Sequence, residues 1–527
     1  MGIEDSALLR KFVNVGEKKA GSPKMGIIVG LFAALGGLLF GYDTGTISGV
    51  MGMDYVKKTF PANGHSFSSS ESSLIVSILS VGTFFGALFA PIPSDRIGRR
   101  WTLMIASIIF NIGTVLQVVA TDIPLLCAGR AIAGFGVGLI SAVVPLYQAE
   151  SAPKWIRGAI VSCYQLAITI GILLAAVINE GTHRINGTAS YRIPIAIQFL
   201  WALNLGIGIF FLPETPRFYV SKDRGDDAKE SLRRLRSLPI DHPEIIEEYE
   251  DIVAAHEFEA QFGNASWALV FSNKNRQRRR LIMGTSVHAL SQLSGINFIF
   301  YFGTSFFQSA GIKNPFTISL ATNIVNVGST IPGILLIEVL GRRKLLIGGS
   351  IIMCVSQFIV AIVGVAAGQN SDSANKCLVA FTCIFISGFA ASWGPLGWAV
   401  VSETYALNVR QKSISLCLAS NWLFNWAIAF ATPYMVNPGP GNANLGSKVF
   451  FIWGAFNFIG GLFVYFMVFE SKGLSLEQVD EMYEKVQHAY NSPSFVPTEH
   501  AFRHSSAVSI NSISKVEDIY EVEVGSV

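Results

Sequence analysis

Residues 95–100 read Asp95-Arg96-Ile97-Gly98-Arg99-Arg100, and 243 positions later the chain reads Glu338-Val339-Leu340-Gly341-Arg342-Arg343. Each copy stands between two apolar stretches of about 20 residues, the length a helix needs to cross the hydrocarbon of a bilayer. Two further signatures repeat. Glu150 and Arg157, seven apart, return as Glu403 and Arg410 at an offset of 253. Pro213-Glu214-Thr215-Pro216-Arg217 returns as Phe469-Glu470-Ser471-Lys472-Gly473 at an offset of 256. Offsets this nearly constant make the two halves copies of one unit. Membrane units repeated in this way pair as two bundles about a pseudo-twofold axis along the membrane normal, with a substrate site between them at mid-membrane.

Working outward, apolar segments recur at about 27–47, 72–92, 101–121, 125–148, 159–179 and 193–212, then at 281–308, 317–339, 345–367, 377–401, 413–434 and 449–469. That makes twelve spans, six in each copy, and their length excludes the short alternating strands of a membrane β-barrel. The expectation is an all-α membrane protein of twelve transmembrane helices in two pseudo-symmetric six-helix bundles. Its parts are an N-terminus at 1–26, a first bundle at 27–212, a polar loop at 213–280, a second bundle at 281–469 and a tail at 470–527. Composition agrees: 527 residues are 51% hydrophobic and 14% charged, with mean hydropathy +0.46, where an average soluble protein is roughly 25% charged. A net charge of +3 offers no basic surface for nucleic acid. The six cysteines have no CxxC spacing, which implies neither a disulfide framework nor a zinc site.

With the N-terminus inside, 31 of the 39 Lys and Arg fall on the cytoplasmic side, seven on the exterior and one, Arg130, within a span. Dropping the long central loop leaves 19 against seven, so both termini are expected in the cytoplasm. The first span, with no cleavable leader before it, would serve as its own insertion signal. In the loop, Asp226 to Leu238 and Glu244 to Ala260 carry apolar residues at helical spacing among charges, which predicts amphipathic helices on the cytoplasmic face. The tail predicts helix to about Ala489 and disorder beyond it. Gly37, Gly41, Gly45 and Gly49 form a four-residue stripe suited to close helix approach. Asn186-Gly187-Thr188 is a glycosylation sequon on the exterior side close to the membrane; Asn264-Ala265-Ser266 is cytoplasmic and expected to be silent.

The paired Gly-Arg-Arg loops, the Glu and Arg pairs, Pro213-Glu214-Thr215-Pro216-Arg217 and Gln292-Leu293-Ser294-Gly295-Ile296-Asn297 together resemble the sugar porter family of the major facilitator superfamily. The resemblance runs from about residue 25 to 485 and is closest to yeast glucose and xylose transporters, including the proton-coupled ones. It implies a monosaccharide carrier of the plasma membrane working by alternating access, with no cofactor, a proton as co-substrate, and only the sugar and the bilayer as partners. Neither nucleic acid nor an obligate protein partner is implied, and no nucleophile with its base suggests an enzyme. Two alternatives stay open: a uniporter with the same site, and a non-transporting glucose sensor, which in the resembled family carries a much longer tail.

The spans hold side chains that suit a neutral sugar. An amide offers an acceptor and two donors to a hydroxyl, and an aromatic ring covers the apolar face. Gln165, Gln292, Asn297, Asn326, Trp398 and Asn421 match the sugar-binding amides and tryptophan of the family; the alternative is that intramembrane amides bind helices together. Where the family usually has two glutamines, this chain has Ser291-Gln292, which bears on substrate range. His288 lies on nearly the same helical face as Gln292; it lines the cavity or sits hydrogen-bonded in the core. Gly295 and Gly394-Pro395 predict helix breaks facing the cavity, read as hinges.

Charges inside spans need a reason. By resemblance, Asp43 and Arg130 are the proton-coupling pair, although uncoupled hexose facilitators also carry the acid. The cytoplasmic repeats predict ion pairs that tie helix ends within each bundle and break when the inner side opens. Those in the first bundle are Asp95, Arg99, Arg100, Glu150, Arg157 and Glu214; those in the second are Glu338, Arg343, Glu403, Arg410 and Glu470.

Overall fold

The computed structural model describes residues 24–496 apart from 62–63, 65, 153–156, 262–266, 274–275, 310–313, 367–371, 406–408 and 475. The sequon at Asn264, the tail beyond 496, the first 23 residues, and the side chains of Arg157 and Glu338 lie outside what is described.

Among the described residues, eleven helices are long and apolar enough to cross a membrane. In the first half these are span one (Lys24–Gly52), two (Ser69–Phe89), three (Arg99–Val119), four (Ile123–Ser151), five (Ile160–Thr182) and six (Ala189–Phe211). Those of the second half are span eight (Pro315–Leu340), nine (Arg342–Ala366), ten (Ser373–Thr404), eleven (Arg410–Val436) and twelve (Val449–Met467). The remaining crossing is span seven, which is two helices, Gln277–Leu293 and Ile296–Ser309. The described residues therefore make twelve crossings, six in each half.

The pairings repeat between halves. Span two packs on four, three on four, one on five, and three on six; correspondingly eight packs on ten, nine on ten, seven on eleven, and nine on twelve. The halves meet through two against eleven and five against eight, which are each other's images under the same exchange, and through one against the second half of seven. Lipid is the solvent, so outward faces are apolar, as at Ile207, Phe211, Ile351 and Phe458. The polar side chains, Asp43, Arg130, Gln165 and Asn326 among them, are buried inside the bundles.

All four glycines of the stripe face span five. A methyl group at Gly41 would stand 2.0 Å from the Ile168 carbonyl oxygen, so the atom struck is backbone. Gly41→Val is expected to cost more than the about 1–3 kcal/mol of an ordinary overpacked site. Quantifying protein at the membrane checks this, with a clear drop expected and an unchanged amount arguing against the contact.

Sequence and structure differ at the break in span ten. It falls at Ser392, between helices Asp372–Ala391 and Trp393–Thr404, rather than at Gly394-Pro395. Pro395 lies in the first turn of the new helix, where its missing N–H costs nothing. The two loop helices form at Gly225–Arg236 and Pro243–Gln261. In the tail the helix is Leu476–Lys485 and ends before Ala489, where a 3-10 turn, Ala489–Ser494, follows.

Candidate sugar cavity and charge pair

Spans one, five, seven, eight, ten and eleven enclose a cavity near the middle of the bundles. Its wall includes Gln165, Ser291, Gln292, Asn297, Asn326, Trp398 and Asn421, all seven residues predicted to bind sugar. Span seven carries three of them, and its break matters for their placement. Gly295 has φ +83°, which an L side chain adopts only with strain, and this turn lets Asn297 reach back across it to donate to Gln292 Oε1. Gln292 Nε2 donates to Asn421 Oδ1 at 2.7 Å, and Asn425 Nδ2 donates to Gln292 Oε1 at 3.2 Å. Gln292 is thus the centre of a knot of amides. On the other side of the cavity Trp398 Nε1 donates to Gln165 Oε1 at 3.1 Å, so an aromatic ring is held by an amide of the opposite half.

Three buried polar atoms of residues on this wall have no hydrogen-bond partner among the described residues: Thr44 Oγ1, His288 Nε2 and Asn326 Nδ2. An unpaired buried donor or acceptor costs about 1–3 kcal/mol, and a ring of sugar hydroxyls can satisfy all three. His288 therefore lines the cavity, edge-on to the Trp398 ring with centroids 5.4 Å apart. The donor group of Asn326 is not spent on a neighbouring helix.

Asp43 and Arg130 are both buried, with Asp43 Oδ1 3.7 Å from Arg130 Nη1. The arginine is anchored by Nε to the Ile75 carbonyl at 2.7 Å. The carboxylate accepts from Gln198 Nε2 at 3.2 Å, while Asp43 Oδ2 and Arg130 Nη2 have no hydrogen-bond partner among the described residues. The pair is in contact without a full hydrogen bond, a geometry that can change with protonation.

Sequence reasoning missed three residues here. Gln198 holds the acid; as an amide in span six it carried the same signal as the others. Asn425, four residues from Asn421 and so on the same face, accepts from Ser80 Oγ at 2.6 Å and from the Tyr301 hydroxyl at 3.0 Å. Asn425 and Tyr301 thereby join the amide knot to span two of the other half.

At the basic end the predicted charges gather within each half. Arg99 pairs with Glu150 at 3.1 Å and lies 3.9 Å from Asp95. Glu214 accepts the backbone N–H groups of Arg100 and Thr215, each at 2.9 Å. Burial lifts its carboxyl above the usual carboxylate range, against those two donors and Arg99. In the second half Glu470 accepts the N–H groups of Arg342 and Arg343 at 2.9 and 3.1 Å, and Glu403 accepts from Ser471 Oγ at 2.7 Å. Gly98 and Gly341 have φ of +96° and +87°, each pressed on its glutamate.

The prediction for Arg343 needs correction: its guanidinium donates to the Tyr465 carbonyl at 2.7 Å, and Arg342 is the residue that pairs with Glu403, at 3.0 Å. The offset of 243 carries Arg99 onto Arg342 and Arg100 onto Arg343, and the Arg100 guanidinium likewise donates to a carbonyl, that of Phe210. Arg410 donates to the Ser402 carbonyl.

At the opposite end contacts cross between halves. Lys57 donates to Gln308 Oε1 at 2.6 Å, Asn442 Nδ2 to Ser69 Oγ at 2.9 Å, and the His183 ring stacks on Phe316 at 4.3 Å.

Residues 29–483 match the family model described as "Sugar (and other) transporter". The chain is 51% identical over 496 residues to the major facilitator-type transporter ecdD of Aspergillus rugulosus, covering 91% of each. It is 46% identical over 465 residues to the high glucose sensor RGT2 of Saccharomyces cerevisiae, covering 88% of this chain and 61% of the sensor. Among solved structures, the proton:xylose symporter XylE from E. coli, bound to 6-bromo-6-deoxy-D-glucose, superposes with a TM-score of 0.75 at 25% identity, covering 88% of this chain and 100% of that one. The chain is a multi-pass membrane protein, not an enzyme, and belongs to the sugar transporter family of the major facilitator superfamily.

Proposed function

We propose that this chain is a plasma-membrane monosaccharide carrier for glucose and xylose that works by alternating access as a sugar:proton symporter, with both termini in the cytoplasm. The observation that carries the sugar site is the cavity wall. It includes the seven predicted residues, and three residues of the same wall, Thr44, His288 and Asn326, carry a buried polar atom with no partner among the described residues. Gln165, Ser291, Gln292, Asn297, Asn326, Trp398 and Asn421 take the sugar, the amides by its hydroxyls and the tryptophan by its apolar face. Asp43 takes the proton: neutralising it weakens its hold on Arg130 and frees spans one and four to shift. The ion pairs around Arg99 and Arg342 hold the cytoplasmic helix ends together within each half while the inner side is shut. Support for glucose and for the proton comes from the names of the sensor and of the proton:xylose symporter. The test is uptake of labelled glucose and xylose in a yeast lacking its own hexose carriers, with and without a protonophore. Uptake of both sugars that falls with the protonophore supports symport, and uptake indifferent to it means a uniporter.

The match to a glucose sensor across 88% of this chain favours a second reading, a receptor that binds glucose without moving it. In that case purified protein binds glucose while cells carrying it at the surface take none up.

Ser291→Gln is expected to change the ratio of glucose to xylose affinity, because the longer amide fills space that the hydroxymethyl group of glucose also needs. Competition of each sugar against labelled glucose measures it. An equal shift for both sugars means that position 291 does not discriminate.

A further inference from the structure

The break in span seven is held open by two amides that are not part of the cavity wall and come from two other spans, nine and twelve. In an unbroken helix the Ser294 carbonyl would accept from the Phe298 N–H. Here Phe298 N–H donates instead to the Gly295 carbonyl at 3.2 Å, which leaves Ser294 C=O without its helical partner. An exposed backbone carbonyl at membrane depth is costly and must be satisfied by protein. Gln357 Nε2, from span nine, donates to it at 2.9 Å, and Asn457 Nδ2, from span twelve, at 3.2 Å. Asn457 Nδ2 also stands 2.7 Å from Gln357 Oε1 and 3.0 Å from the Trp453 carbonyl, so its two N–H groups are shared among three acceptors, and the contact with Gln357 orients that amide. Both side chains are buried, at 1% and 4% exposure. Span twelve adds a steric element, since a methyl group at Gly295 would stand 2.5 Å from the Trp453 ring.

We infer that Gln357 and Asn457 are positioning residues for sugar recognition: they take the carbonyl released at Ser294 and so fix the kink that sets Gln292 and Asn297 face to face. This rests on the cavity being the sugar site. Without the two donors, the segment 293–298 regains favour for continuous helix. Gln292 and Asn297, five residues apart, would then point about 140° apart around it, at 100° per residue, and could not share one ligand.

Two substitutions separate hydrogen bonding from packing. Gln357→Met keeps length and volume but donates nothing. Gln357→Glu, assayed at pH 5 to favour its protonated form, offers an O–H in place of the lost donor while its other oxygen still accepts from Asn457. The measurement is the KM and maximal rate of glucose uptake per carrier at the surface. Gln357→Met is expected to raise KM at least threefold, with Gln357→Glu staying within threefold of the unaltered protein. The proposal is overturned if Gln357→Met leaves KM within threefold, if both variants are equally impaired, or if only the surface amount falls. Should Gln357→Met fail to reach the membrane, Gln357→Glu decides alone by the same limit. Gln292→Ala and Asn297→Ala run alongside. If these leave KM unchanged it is the cavity reading that fails, and the maximal rates of the two Gln357 variants then decide the hinge.

Discussion

Asp43→Asn is expected to abolish accumulation of sugar against its gradient while exchange between equal sugar pools continues. The amide is nearly isosteric with the protonated acid and can still accept from Gln198, whose Nε2 lies 3.2 Å from Oδ1. The sugar-loaded conformational cycle therefore still runs. What disappears is the charge 3.7 Å from the Arg130 guanidinium, and with it the link between proton and sugar. One proton moving down 100 mV supplies about 2.3 kcal/mol, a gradient of roughly forty-fold when about 1.4 kcal/mol is tenfold. The readouts are the internal to external ratio of a non-metabolised sugar and the alkalinisation of the medium on sugar addition. If the unaltered protein does neither, symport is wrong and the uniporter stands. If the variant does both, Asp43 is only a structural partner of Arg130, and His288, on the cavity wall, is the next group to test.

Gln292→Ala carries the second large effect, a rise of at least tenfold in the apparent sugar constant with the protein still folded and at the surface. Gln292 bonds to Asn421, Asn297 and Asn425 at once. Its removal takes away the proposed contacts to the sugar and also the partner that keeps three other amides aimed. Each partner left unpaired costs about 1–3 kcal/mol, and 1.4 kcal/mol already gives tenfold. Asn297→Ala is expected to follow in direction and size. Uptake kinetics normalised to surface protein make the measurement. Loss of surface protein with an unchanged constant would make these amides helix glue rather than sugar ligands.

Asn425 shows why such effects would not stay local. Its Oδ1 accepts from Ser80 in the first half and from Tyr301 in span seven, and its Nδ2 reaches Gln292. Ser80 lies on span two, the helix whose Ile75 carbonyl anchors Arg130. The amide knot on the cavity wall and the charge pair thus share one helix, which gives the proposed coupling a physical carrier without a separate pathway.

Read from the chain alone, hydropathy places all twelve crossings, because apolar length is a property of consecutive residues, while the division of the seventh into two helices appears only in the structure. Repetition of Gly-Arg-Arg and its companions makes the two halves equivalent, because a duplicated unit keeps its spacing. The amides and the tryptophan of the cavity were legible for a related reason: polar side chains inside apolar spans are costly enough that few occur without a partner or a ligand. Folding decided what depends on the direction of a side chain and on its neighbour. Which of two adjacent arginines reaches Glu403 depends on where each points from the first turn of span nine, and the answer is Arg342. That Gln198 meets Asp43, and that Asn425 joins the halves, follow from the rotation of spans six and eleven against helices more than 100 residues away in sequence. The break at Gly295 was readable as a glycine; its stability was not, because the donors that satisfy the Ser294 carbonyl come from spans nine and twelve and meet it only after both have packed.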